Sequence, residues 1–124
     1  AAMFRAISQV AISYSNGPLG AGRAGTVSGG DRLPFVHLET GDNYGPLADI
    51  TWQVHVYGQP ADALRTWCAD KDIPLHVFDW TAGCDAAGFA RDAAYLLRPD
   101  TYIGCASPAG DVVPLQDYLK GLGL

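Results

Sequence analysis

The sequence has few cysteines and no closely spaced pair of them. The three, Cys68, Cys84 and Cys105, are too few and too far apart for the disulfide framework of a small secreted domain. A dithiol redox enzyme needs a reactive cysteine at the start of a helix with a resolving cysteine three residues on, and that spacing does not occur. The cysteine usage therefore predicts a reducing, cytoplasmic environment and no dithiol chemistry.

Positive charge and long apolar runs are also scarce. Eight Lys and Arg residues stand against 13 Asp and Glu residues, for a net charge of -5, and the basic residues form no cluster. Nucleic acid is therefore not an expected partner. Apolar runs are shorter than the roughly 18 residues that span a bilayer, and Arg5 interrupts the start of the chain, so no membrane span or signal peptide is predicted. Because the chain starts at Ala1 rather than Met, we expect a processed product or a piece of a longer protein.

The second half of the chain carries a regular series of predicted elements. They are a strand over 50–57, a helix over 60–72, a strand over 75–80, a helix over 83–92, strands over 94–97 and 102–106, and a helix over 114–122. A crossover through a helix joins parallel strands, whereas the tight turn at 98–101 makes an antiparallel hairpin. The fold class predicted is α/β, with the β-α-β-α-β-β-α order of a thioredoxin-like mixed sheet and helices on both faces. Because the 75–80 strand is apolar on both faces, it is predicted to be central.

The first half is less regular and contains many glycines. Alternating residues over 4–14 predict a strand, and 35–39 a short second one. The stretch 16–31 holds six glycines and is predicted to be a loop or linker that cannot order itself. We accordingly place an N-terminal strand and Gly-rich linker from a preceding domain at 1–31, and the thioredoxin-like domain at 32–124.

Three groups of residues could carry chemistry and are weighed against simpler interpretations. Gly20, Gly22 and Gly25 spell a dinucleotide-type G-x-G-x-x-G, but no helix start follows, so a flexible loop is favoured. Cys68 and Cys105 are expected in the core, and Cys84 in an exposed loop. The histidines at 37, 55 and 76 lie on predicted strands with no spacing that indicates a metal site. No metal, catalytic or cofactor-binding residue is therefore assigned.

Two motifs resemble one enzyme family. The stretch Gly30-Asp31-Arg32-Leu33-Pro34 resembles the G-D-R-x-P opening of the C-terminal domain of class A FAD-dependent aromatic hydroxylases, the phenol, polyketide and rifampicin monooxygenases. The stretch Leu97-Arg98-Pro99-Asp100 resembles that family's R-P-D hairpin, and segments over 7–19 resemble the connection from its substrate domain. Thr101 departs from the family's glycine and is expected in a turn with negative φ. A second departure is Gly104-Cys105-Ala106, where relatives often carry Ala-Trp-Arg.

The resemblance implies a function for the chain as part of a larger enzyme. The parent would be a monooxygenase that uses FAD and NAD(P)H, while this chain would be a non-catalytic accessory or docking domain. Its partners would be the flavin and substrate domains of the parent, and the family's C-terminal domain often contributes to homo-oligomer contacts. The structural motif residues are Asp31, Arg32, Pro34, Arg98, Pro99 and Asp100, in two turns where an arginine could pair with a nearby acid. Two alternatives stay open: a free-standing, redox-inactive thioredoxin-like binding module, and a one-cysteine redox protein using Cys84.

Overall fold

A four-stranded mixed sheet with three α-helices forms the centre of the computed structural model, which describes residues 21–38 and 41–123. The predicted strand over 4–14 lies outside the described residues. The elements are β1 (Arg23–Ala24), β2 (Val27–Ser28), β3 (His37–Leu38), β4 (Gly41–Asp42), a 3-10 helix (Gly45–Ala48), β5 (Gln53–Tyr57), α1 (Asp62–Lys71), β6 (Leu75–Phe78), α2 (Ala82–Ala87), β7 (Ala94–Leu97), β8 (Ile103–Ser107) and α3 (Val112–Gly121).

The sheet has the strand order β6-β5-β7-β8. Strands β5 and β6 are parallel, while β7 is antiparallel to both β5 and β8. The predicted parallel crossover and the hairpin are thus confirmed. The prediction that the 75–80 strand is central was wrong, because β6 lies at the edge and Val77 is 43% exposed. Its apolar residues pack at the edges of the cores on the two faces of the sheet, not at their centres.

The ends of the helices are set by capping residues and by residues with a left-handed backbone. α1 begins after Ala61 with Asp62 in its first turn, and it ends at Lys71, followed by the capping residue Asp72 in the left-handed conformation. α3 ends at Gly121, and the capping residue Leu122 is followed by Gly123 at φ 82°. α2 is shorter than the predicted 83–92 helix because Gly88, at φ 97°, ends it after Ala87. Local cap chemistry therefore sets the bounds more closely than hydrophobic periodicity does.

Each face of the sheet packs against its own core layer. On one face, Leu64 of α1 and Leu115 of α3 meet Val54, Val56 and other buried sheet residues. On the opposite face, Cys84 of α2 and Phe89 pack with Tyr57 and Tyr95. This arrangement confirms helices on both faces. No helix within the described ranges is both long and apolar enough to cross a membrane.

The described part of the glycine-rich segment is ordered and packed against the sheet. Ala24 and Val27 are 1% and 2% exposed and belong to a core layer. A Cβ atom on Gly22 would lie 2.2 Å from the Ala106 carbonyl oxygen, and one on Gly25 would lie 2.1 Å from the Gly88 carbonyl oxygen. The prediction of a loop that cannot order itself was wrong for residues 21–31. Its glycines permit positive φ and close backbone approach, so they are packing residues.

Candidate functional site

The two motifs that carry the family resemblance meet at the start of β8. Arg32 and Tyr102 form an antiparallel bridge. The Ile103 N–H donates to the Asp31 carbonyl at 2.8 Å, and the Gly30 N–H donates to the Ile103 carbonyl at 2.6 Å. Residues about 70 positions apart in sequence are thereby joined as neighbouring backbone segments. We call the surface formed by Asp31, Arg32, Arg98, Asp100 and Tyr102 the motif junction.

Side chains define the two turns of the motif junction. The Asp31 carboxylate accepts the Ser28 N–H at 2.8 Å. Arg98 forms an ion pair with Asp100, and its guanidinium carbon lies 5.8 Å from the centre of the Tyr102 ring. Asp100 also accepts the Tyr102 N–H at 3.1 Å. The Arg98–Asp100 pair is largely local and half exposed on the acid, so its net contribution to stability is small.

Thr101 closes the second turn in a strained conformation. Its N–H donates to the Arg98 carbonyl at 2.9 Å, but its φ is 73° rather than negative, which corrects the expectation from sequence. A β-branched residue rarely adopts this left-handed region, where glycine is favoured. The turn therefore has a conformation that a glycine would adopt with less strain than Thr101.

Gly104, at the second position where the sequence departs from the family that the motifs resemble, packs closely against Tyr118 and Arg98. A Cβ atom there would lie 2.9 Å from the Tyr118 hydroxyl and 3.1 Å from Cγ of Arg98. Burial raises the pKa of Tyr118 to about 12, against the lowering effect of Arg98, which hydrogen-bonds its side chain. The space that an alanine methyl would fill is thus taken by a tyrosine from α3. Gly104 and Tyr118 form one packing unit beneath the motif junction.

Pro34 is held by a buried asparagine that the motifs do not include. The Asn43 Nδ2 atom donates to the Pro34 carbonyl at 2.7 Å and to the Tyr57 hydroxyl at 2.9 Å. Its Oδ1 atom accepts the Val36 N–H at 2.8 Å, and the residue is 0% exposed. Asn43 therefore fixes the segment after Arg32 onto β5. The Asn43-Tyr44-Gly45-Pro46 sequence indicates a turn, but it does not predict the hydrogen bonds from Asn43 to Pro34 and Tyr57.

His55 lies inside the core beside His76 with one ring nitrogen paired. Its Nε2 atom is 2.6 Å from Oε1 of Gln53, whose own Nε2 donates to the Pro46 and Asp49 carbonyls. The orientation of this amide makes His55 Nε2 the donor, and Nδ1 has no hydrogen-bond partner among the described residues. Burial, with a smaller effect of His76, lowers the pKa of His55 to about 3. His55 is thus a neutral core residue, and burial also lowers the pKa of His76.

All three cysteines are buried. Burial raises the pKa of both Cys68 and Cys105 to about 11, which agrees with their predicted place in the core. Cys84 was expected in an exposed loop, but it lies in α2 and is 0% exposed. Its N–H donates to the Thr81 hydroxyl that caps the helix, and the residue packs in the core layer with Phe89 and Tyr95. The one-cysteine redox alternative therefore lacks an accessible thiol.

The corner between β5 and α1 is held by an acid instead of a thiol. The Asp92 carboxylate accepts the Gln59 N–H at 2.7 Å, and the Asp92 N–H donates to the Tyr57 carbonyl at 2.9 Å. A Cβ atom on Gly58 would lie 2.1 Å from this carboxylate. Asp92 consequently ties the loop before β7 to the loop between β5 and α1.

Metal and nucleotide binding find no support in the arrangement of these residues. Within the part of the chain that the structure describes, no three His, Cys, Asp or Glu side chains are placed to hold a metal ion. The segment after Gly25 continues into β2 rather than into a helix, so it offers no helix N-terminus to a pyrophosphate. No protein-family model, curated protein or solved structure matches the chain.

Proposed function

We propose that this chain is a non-catalytic accessory domain of a FAD- and NAD(P)H-dependent aromatic-ring monooxygenase. The observation that carries the proposal is the contact between the two family-resembling motifs. Asp31 and Arg32 pair with Tyr102 and Ile103, directly after the Arg98-Pro99-Asp100 turn. Two motifs that resemble one family and build one surface are a stronger sign than either motif alone.

The sheet supports the thioredoxin-like arrangement proposed for this domain. β5, α1 and β6 form the parallel unit, α2 lies on the opposite face from α1, and the β7–β8 hairpin precedes α3. At the corner where such a domain would carry its redox cysteines, the chain has Gln59 and Pro60 beside Asp92. We accordingly propose that the domain docks onto other domains and does not transfer electrons.

The motif junction offers a surface suited to contacts within the parent enzyme. Arg32 is exposed, Tyr102 is 38% exposed, and the Asp100 carboxylate is half exposed. An aromatic ring with an arginine beside it is typical of the anchor residues of protein interfaces. We place the flavin and substrate domains of the parent chain against this surface.

Two measurements test the proposal together. The open reading frame upstream of Ala1 should encode a flavin-binding domain, whereas a frame that opens near Ala1 without one would contradict it. A titration of this chain with FAD should show no binding, since the flavin site would lie in the other domains. Tight binding of FAD to the isolated chain would instead assign the cofactor to residues described above as packing groups.

A redox-inactive thioredoxin-like module that binds another protein is the second candidate. The observation that favours it is the outer edge of β6, which pairs with no other strand among residues 21–38 and 41–123 and has the backbone groups to accept a strand from a partner. The same reading frame distinguishes the two candidates, because a free-standing module needs no flavin domain.

A further inference from the structure

Residues 21–32 lie along the rest of the domain as one segment, which we call the strap. Its first residue pairs with the outer edge of β8, because the Ala21 N–H donates to the Gly104 carbonyl at 2.9 Å and the Ala21 carbonyl accepts the Ala106 N–H at 3.0 Å. Its last residues pair with Ile103 at the motif junction. Both ends of the strap are therefore held on one strand of the sheet by backbone hydrogen bonds.

The middle of the strap forms a hairpin whose tip contacts the loop after α2. β1 and β2 pair antiparallel, and the Thr26 N–H at the tip donates to the Gly88 carbonyl at 2.8 Å. Between the ends and the tip, the buried Tyr95 hydroxyl donates to the Ala24 carbonyl at 3.0 Å. The strap thus has internal pairing of its own, and it meets the rest of the domain largely through backbone groups, as a peptide does when it adds to a sheet edge.

Two glycines of the strap occupy positions that no side chain can enter. A Cβ atom on Gly22 would collide with the Ala106 carbonyl oxygen, and one on Gly25 with the Gly88 carbonyl oxygen. Both glycines also have positive φ, at 76° and 66°. Ala24, which lies between them, is 1% exposed and belongs to the core layer. The groove therefore fits a Gly-x-Ala-Gly pattern, which is the second half of the G-x-G-x-x-G that nucleotide binding does not explain.

We propose that the groove between β8 and the loop after α2 is a peptide-binding site, and that the strap is its intramolecular ligand. The ligand class is an extended peptide with glycine at two positions three apart and a small apolar residue before the second glycine. The strap leaves this groove while the four-stranded sheet stays folded, and a separate peptide of the same sequence then takes its place. Release of the strap exposes the outer edge of β8 for that pairing.

The composition of the core supports a strap that leaves without unfolding the sheet. The strap supplies Ala24 and Val27, two small side chains, to its core layer. The large side chains of that layer, Tyr57, Phe89 and Tyr95, come from the sheet and loops beyond the strap. The pairings among β5, β6, β7 and β8 involve no strap residue. Segments with few buried apolar side chains open locally at a lower free energy than the whole domain.

The first test uses the full chain with Gly25→Ala, in which the strap no longer fits its groove. A fluorescent peptide of residues 21–32, followed by anisotropy, should bind this variant at least about tenfold more tightly than the unsubstituted chain, whose own strap competes at a roughly millimolar effective concentration. The same peptide with Gly25→Ala should bind at least about tenfold more weakly. The peptide with Arg23→Ala is the matched control, because Arg23 is exposed, and it should bind like the original peptide.

Amide hydrogen exchange on the unsubstituted chain measures release of the strap directly. The Thr26, Ile103 and Ala106 N–H groups bond across the boundary between the strap and the rest of the domain. The Val54 N–H instead bonds to the Pro74 carbonyl inside the sheet. The three boundary amides should share one protection factor, at least about tenfold lower than that of Val54.

Three results would each overturn the proposal: boundary amides as protected as Val54, a Gly25→Ala chain that gains neither binding nor structure from the added peptide, or an Arg23→Ala peptide that loses as much affinity as the Gly25→Ala peptide. The first would make the strap inseparable from the core, and the last would show that the groove does not recognise the glycines. None of these results depends on the upstream reading frame, so this inference and the proposed function fail separately.

Discussion

The side-chain amide of Asn43 joins the Tyr57 hydroxyl, at 2.9 Å, to the Pro34 carbonyl, at 2.7 Å. Through this one residue, the segment that carries Arg32 and Pro34 is fixed to β5 at the centre of the sheet. The motif junction therefore depends on a buried polar anchor that lies outside both motifs.

Asn43→Ala should lower the free energy of unfolding by about 2 to 4 kcal/mol. The substitution leaves the Val36 N–H without its partner and removes both bonds made by Nδ2 in a fully buried position. Urea denaturation followed by tryptophan fluorescence measures the change. Tyr57→Phe is the matched control, because it removes one of these partners and should cost only about 1 kcal/mol. Equal losses in the two variants would show that Asn43 is no anchor.

Thr101→Gly should stabilise the protein by about 1 kcal/mol. Glycine relieves the left-handed strain at φ 73°, and this gain exceeds the added entropy of the unfolded chain. Thermal unfolding by differential scanning calorimetry measures the effect, with Thr101→Ala as a control that keeps the Cβ atom. A less stable glycine variant would mean that Thr101 does not hold the left-handed conformation.

Gly25→Ala should destabilise the protein by more than about 2 kcal/mol. The added methyl would meet the Gly88 carbonyl oxygen at 2.1 Å, at a residue whose φ is already 66°. Gly45→Ala is the matched control, since nothing lies within 4 Å of its Cβ position. Chemical denaturation of the two variants separates the interpretations. Two near-neutral substitutions would restore the glycine stretch to the flexible loop that its composition predicts.

Stability should fall as the pH is lowered from about 6.5 toward 3. The pKa of His55 is lowered by burial to about 3 in the folded state, so the unfolded chain binds more protons across this window. The fall contributed by this residue is about 1.4 kcal/mol per pH unit, and the stability is fully present above pH 6.5. His55→Phe should flatten the slope measured by urea denaturation at several pH values. The exposed His37→Gln should leave it in place, and an unchanged slope in His55→Phe would contradict the assignment.

Local patterns predict much of this fold and little of its long-range contacts. The alternation that ends at Tyr57 and the Pro60 and Asp72 signals place β5 and α1 within a few residues, because strand and helix ends depend on near neighbours. Cys84 was misplaced because its burial depends on packing of α2 against residues distant in sequence, such as Tyr57 and Val27. The packing role of Gly22 and Gly25 was not predicted for a related reason, since it comes from backbone atoms of Ala106 and Gly88, far along the chain.

In the candidate site, too, the local turns were predicted from sequence and the long-range contacts were not. Both motifs were identified from sequence, because their turn residues are contiguous. Their meeting through Arg32 and Tyr102 was not predicted, since a single bridge between distant segments leaves no periodic trace. Asn43 was likewise missed, because its turn position explains it without any reference to Tyr57.

We propose above all that this chain belongs to a larger flavin-dependent monooxygenase. The most direct measurement is the intact mass of the native gene product, purified without proteolysis, together with the absorbance spectrum of any cofactor it retains. We expect a polypeptide substantially heavier than the 13.1 kDa of this chain, with the absorbance of bound flavin. A native product of about this mass that carries no flavin would contradict it.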